Sequence, residues 1–154
     1  MPLFGRGRDE VKQAGGADPG AALTDALERY RAMPVPERAA LVLATVAPAI
    51  AESFDKATWK AGIGPLHTEG DSLLELLIPQ TRRPDKLSPE QWRAMYELRI
   101  TLAEALNALL IARLLINFDY GSGGSVIKYA VSPDGLAALE RGDVAEVVAR
   151  RLPD

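Results

Sequence analysis

The sequence predicts a mainly α domain with one C-terminal β-hairpin, and three features carry that prediction. Ala, Leu and Val dominate the apolar residues, a composition that favours helix over sheet. Several segments open with helix-start signals and continue with apolar residues every three or four positions. Near residue 115 the apolar period drops to two, on either side of the glycine-rich run Gly121-Ser-Gly-Gly-Ser125. A chain of 154 residues fits one domain and can bury a core without covalent staples. Aromatics make up only 6% of it, so aliphatic side chains must fill that core.

Residues 1–20 read as a flexible N-terminal arm, with five of the 13 glycines and no apolar period. Leu3-Phe4 is its one apolar spot. Residues 21–154 read as a single helical domain. Ala21 to Met33 forms a first helix, with Asp18 as cap, Pro19 at the first turn, and Leu23, Ala26, Leu27 and Tyr30 on one face. Pro34 stops it.

Pro36 to about Trp59 forms a second, longer helix, which Pro48 is expected to kink or split. Between 66 and 86 the pattern is ambiguous. Ser72 with Glu75 fits a capping box, yet Leu73 to Ile78 could equally be a short helix or a buried strand.

Ser88-Pro89-Glu90-Gln91 is the clearest start signal. Serine caps, proline takes the first helical position, and Gln91 reaches back. This helix runs to about Arg113, with a polar stripe of Arg93, Glu97, Thr101, Glu104 and Asn107. From Ala108 onward apolar residues surround its axis. Such a segment must be enclosed, either as the centre of the domain or as half of a dimer interface. The hairpin follows at about 115–131. Ser132-Pro133-Asp134 starts another helix, Gly142 breaks it, and Asp143 with Glu146 has capping spacing for the last one.

There are no cysteines, which excludes disulfides, thiolate catalysis and sulfur-ligated zinc. No run approaches the roughly 20 apolar residues that span a bilayer, and no segment reads as a secretion signal. A cytoplasmic location is the expectation. The net charge of −3 and pI near 5.3 argue mildly against a nucleic-acid partner.

From residue 99 to 141 the order is helix, strand, glycine-rich tip, strand, helix. The text LLINFDYGSGGSVIKYAVSPDGLAAL resembles the end of a winged helix-turn-helix domain, most of all the MarR and PadR type of regulator. Tyr129, Val131, Ser132 and Gly135 fit the way the second wing strand runs into the next helix. The resemblance covers about a quarter of the chain and implies a winged-helix-like α+β domain. Upstream the chain departs from the family, whose recognition helix is short and follows a tight turn.

Each candidate for chemistry has a simpler structural reading. His67, the only histidine, stands near Glu69 and Asp71, and His-x-Glu-x-Asp is a thin metal or general-base signal. A loop histidine is the favoured reading, with Glu69, Asp71 and Glu75 suiting the amino end of a following helix. The glycine run lacks the lysine and the helix of a phosphate loop. Trp59, Trp92, Met95 and Tyr96 could line a pocket, but helical spacing makes the last three core candidates. Arg150 and Arg151 suit the dipole at the end of the last helix.

The resulting expectation is a non-catalytic interaction domain, without cofactor or metal, that pairs with itself or another protein through Leu106, Leu109, Leu110 and Leu114. The alternative is a DNA-binding regulator using Arg82, Arg83, Arg93, Arg99 and Lys128.

Overall fold

A computed structural model describes residues 19–57, 66–67, 77, 87–118 and 128–154. Among them are five helices, α1 (Pro19–Ala32), α2 (Val35–Ala57), α3 (Pro89–Ile111), α4 (Pro133–Arg141) and α5 (Val144–Arg151). Three strands, β1 (Leu66–His67), β2 (Leu115–Phe118) and β3 (Lys128–Val131), form one antiparallel sheet in the order β1-β3-β2. The expected helical domain with a C-terminal hairpin is thus present. Leu115 pairs with Val131 and Phe118 with Lys128.

α3 is the axis of the domain. α1 and α2 pack along it, and α5 closes against both α2 and α3. Its inner face presents Met95, Leu98, Leu102, Ala105, Ala108 and Leu109, all buried, to Leu23, Leu27, Tyr30, Val42, Leu43 and Val46 and to Val147 and Val148 in one continuous core. Small residues at 105 and 108 let neighbouring helices approach closely. At its amino end Ser88 and Gln91 form the expected reciprocal cap: the Gln91 amide donates to Ser88 Oγ (3.2 Å) and the Ser88 amide to Gln91 Oε1 (2.8 Å).

The carboxyl end of α3 closes without glycine. Arg113 takes the left-handed conformation (φ +59°). The Arg113 amide then donates to Leu110 O and the Leu114 amide to Leu109 O, which satisfies two carbonyls that a helix end leaves open. At the end of α4, Gly142 (φ +72°) does the same job without a Cβ penalty.

Arg38 joins three helices. It is 5% exposed and donates four hydrogen bonds. Nε reaches Tyr30 O (2.8 Å) and Nη2 reaches Met33 O (3.0 Å), so the guanidinium satisfies carbonyls at the end of α1. Nη1 reaches Thr101 O (3.0 Å) and Glu104 Oε2 (3.0 Å) on α3. The side chain itself belongs to the first turn of α2.

A second junction ties the hairpin to α3. Ser132 Oγ donates toward Arg113 O (2.7 Å) and accepts from the Gly135 amide (2.9 Å), while the Ser132 amide donates to Leu114 O (3.1 Å). A Cβ at Gly135 would run into the Leu114 carbonyl oxygen and Val131 Cγ1, so α4 can sit this close only without a side chain there.

Several expectations are corrected. α1 begins at Pro19, inside the range assigned to the arm; residues 1–18 lie outside the described residues. α2 runs through Pro48 as one helix and is not split. β1 was not foreseen, and His67 is a strand residue opposite Lys128, not a loop histidine. Asp143 makes no side-chain cap for α5. Its carboxylate instead accepts from Arg141 Nε (2.8 Å) and Nη2 (3.2 Å). That bond holds the Asp143 carboxyl below its usual range and raises Arg141. The ambiguous segment 73–78 lies outside the described residues except for Leu77, which is helical and packs against the core.

Two measurements check these junctions. Arg38→Met strips the carbonyls at the end of α1 of a charged donor and should cost about 2–4 kcal/mol, roughly 5–15 °C in Tm for a domain of this size. Glu104→Gln, at a carboxylate largely in water, should cost under about 1 kcal/mol. Equal losses would show that the ion pair, not the carbonyls, matters. Gly135→Ala should cost about 2 kcal/mol or more, because the clash is with backbone; an unchanged melting temperature would refute the close approach.

Candidate interaction surface

The apolar residues encircling the back half of α3 are mostly consumed inside the chain. Leu109 and Leu114 are fully buried, and Leu106 and Leu110 pack against the core at its margin. The first pair therefore has no surface left to offer a second copy. Of the expected interface of Leu106, Leu109, Leu110 and Leu114, Leu109 and Leu114 are thus taken up by the domain's own core, and Leu106 and Leu110 are half-buried at its edge.

The middle of the polar stripe is not the outermost face of α3 either. Thr101 is buried, its hydroxyl donating to Glu97 O (2.8 Å). Glu97 accepts from Arg31 of α1 (2.7 Å) and Glu104 from Arg38 of α2 (3.0 Å). Glu97, Thr101 and Glu104 thus form the seam along which α1 and α2 lie against α3, while Arg93 and Asn107 at the two ends of the stripe stay exposed.

What points outward is a row of Trp92, Tyr96, Ile100, Ala103, Asn107 and Ile111, every one of them exposed. Four are large and apolar: Trp92 is 47% exposed, Tyr96 64%, Ile100 47% and Ile111 55%. Steps of three and four residues keep them on one side of the helix over roughly 28 Å. Trp92 and Tyr96, expected in the core with Met95, are turned outward from it around the helix; of the three, Met95 alone is buried. The sequence signal was present in the spacing. It was masked because apolar residues line both sides of this helix.

Beyond α3, Ile116 on β2 is also exposed, at 47%. An open depression of about 440 Å³ lies there, lined by Leu110, Arg113, Leu115, Ile116 and Asn117. Another of about 410 Å³ is lined by Ile111, Ala112, Arg113, Asp134 and Arg151. Arg151 is held in place, donating to Ala112 O (2.8 Å) and Asp134 (2.9 Å). It thus serves the end of α3 rather than only the dipole of its own helix.

The basic residues proposed for DNA are not assembled among the described residues. Arg93 is exposed and Arg99 partly buried. Six positions apart, they project about 120° from each other around the helix axis. Glu97 and Glu104 lie on the Arg93 side. Lys128 lies on β3, and its side chain is outside the described residues, as are Arg82, Arg83 and the glycine-rich tip. Glu69, Asp71, Glu75 and Trp59 are outside them too. Among the described residues no group of three or more His, Cys, Asp or Glu side chains is placed to hold a metal ion, and no helix is long and apolar enough to cross a membrane.

The two sides of α3 should answer differently to truncation. Met95→Ala should cost about 2–5 kcal/mol through the cavity it leaves, whereas Trp92→Ala and Tyr96→Ala should each cost under about 1 kcal/mol. Denaturant titration measures both. A large loss at Tyr96 would place that side chain inside the fold.

Compared with models of known protein families, with curated proteins and with solved structures, the chain matches none.

Proposed function

We propose that this chain is a non-catalytic protein-interaction domain of winged-helix-like layout that self-associates through the outer face of α3. The observation that carries the proposal is the row of Trp92, Tyr96, Ile100 and Ile111, each about half exposed or more, on a helix fastened at both ends. Single exposed apolar residues are ordinary, but a contiguous set of large ones marks a docking surface. Aromatic residues also lose little side-chain entropy on binding and are frequent anchors at interfaces.

The winged-helix-like part of the reading rests on chain order. A long helix leads directly into the β2–β3 hairpin, and the hairpin returns into α4 through Ser132 and Gly135, with β1 on the far edge of β3. The outer face of α3 is mostly aromatic and aliphatic and offers one base-reading side chain, Asn107, where base reading would require several of Arg, Lys, Asn or Gln. Protein contact is therefore preferred to DNA contact as its task.

Light scattering on the chromatographed protein is the test. A dimer at high micromolar concentration is expected, and Tyr96→Glu or Ile100→Glu should weaken it about thirtyfold or more with little change in melting temperature. A monomeric parent protein would defeat self-association. A DNA duplex retained at about 50 mM salt and released steeply as salt rises would favour the DNA-binding alternative instead.

A further inference from the structure

The outer row of α3 has a property that says what covers it. Its steps, from 92 to 96, 100, 103, 107 and 111, read the same from either end, with the midpoint between Ile100 and Ala103. A two-fold axis perpendicular to the helix at that midpoint turns the row onto itself. It sets Trp92 against Ile111 of a second copy, Tyr96 against Asn107, and Ile100 against Ala103.

Each pairing is chemically matched. An indole meets an aliphatic side chain. The one polar member of the row, Asn107, meets the one phenol, so amide and hydroxyl can hydrogen-bond in place of the water they lose. A branched side chain meets a small one, as interdigitating helices require. A parallel arrangement spoils all three: indole faces indole, Asn107 faces itself, and the space over Ala103 stays empty beside two crowded isoleucines.

The flanking charges agree. Beside the row, Glu97 carries Arg31, which is 57% exposed, and Glu104 carries Arg38 but remains 59% exposed. The two-fold brings position 97 of one copy to within about two residues, roughly 3 Å along the axis, of position 104 of the other, on the same side of the contact. Arg31 of one copy then lies level with Glu104 of its twin.

We propose that the occupant of this face is the α3 helix of a second copy of the chain, packed antiparallel about a two-fold axis between Ile100 and Ala103. This rests on the self-association proposed above and specifies its geometry. A single buried polar pair in an apolar contact also fixes register, because any slip strands Asn107 against a hydrocarbon.

The absence of native cysteine makes the geometry directly measurable. Trp92→Cys and Ile111→Cys are prepared as separate full-length proteins, and each is checked for an unchanged melting temperature. They are then oxidised alone and as an equimolar mixture, with light scattering run in parallel. The expected result is a mixed disulfide, joining position 92 of one variant to position 111 of the other. It should form about tenfold faster than either variant's product with itself, as fixed proximity requires. Faster self-linking at 92 or at 111 overturns the antiparallel pairing, as does a chain that dimerises without mixed product. Either outcome leaves self-association standing. A monomer in light scattering removes both proposals.

Discussion

Arg38 is the constraint on which the arrangement of the first three helices depends. A helix end buried inside a domain carries carbonyls that its own backbone cannot satisfy. α1 ends against α2 and α3, so its last carbonyls need donors from outside. A guanidinium supplies them in a fixed plane, and one side chain meets Tyr30, Met33 and Thr101 together with Glu104. Lysine has neither the plane nor the number of directions for this. Because bonds to α1 and α3 leave the same group, the spacing of the helices is set by covalent geometry. The aliphatic core around it then fills space whose shape is already decided.

The same device recurs at the far end of α3, where Arg151 reaches from α5 to Ala112 O. There it works beside Arg113 in its left-handed turn and Ser132, which receives the hairpin. Arg38 at the middle and Arg151 at the end tie α3 to its neighbours, and the capping box at Ser88 closes its first turn. Each contact joins a side chain to backbone, so each fixes position more tightly than apolar packing would.

Local features were legible in the sequence because their causes are local. Ser88, Pro89 and Gln91 lie within four residues and announce the start of α3 wherever it packs. Ser132-Pro133 and Gly142 do the same for α4, and the period-two alternation around the glycine run announces β2 and β3. The orientation of α3 was not legible. Leu98, Leu102 and Leu109 on one side and Trp92, Ile100 and Ile111 on the other are alike in hydropathy, and periodicity cannot rank two apolar faces. What settles the matter is distant: Arg31 and Arg38, more than sixty residues upstream, draw Glu97 and Glu104 toward α1 and α2. β1 escaped for another reason. Two residues are too few to show a period, and their pairing depends on β3, which the chain reaches some sixty residues later. Asp143 has the spacing of a cap, but Arg141 is nearer and charged.

A helix pinned along its length is a stiff rod, and stiffness matters to whatever settles on it. Association is costly when loops and side chains must first be immobilised. Here the backbone beneath Trp92, Tyr96 and Ile100 has been immobilised by folding itself. Contact on that face demands little rearrangement, so an arriving partner meets a template already cast, and complex formation should proceed as docking of two preformed bodies without a folding step.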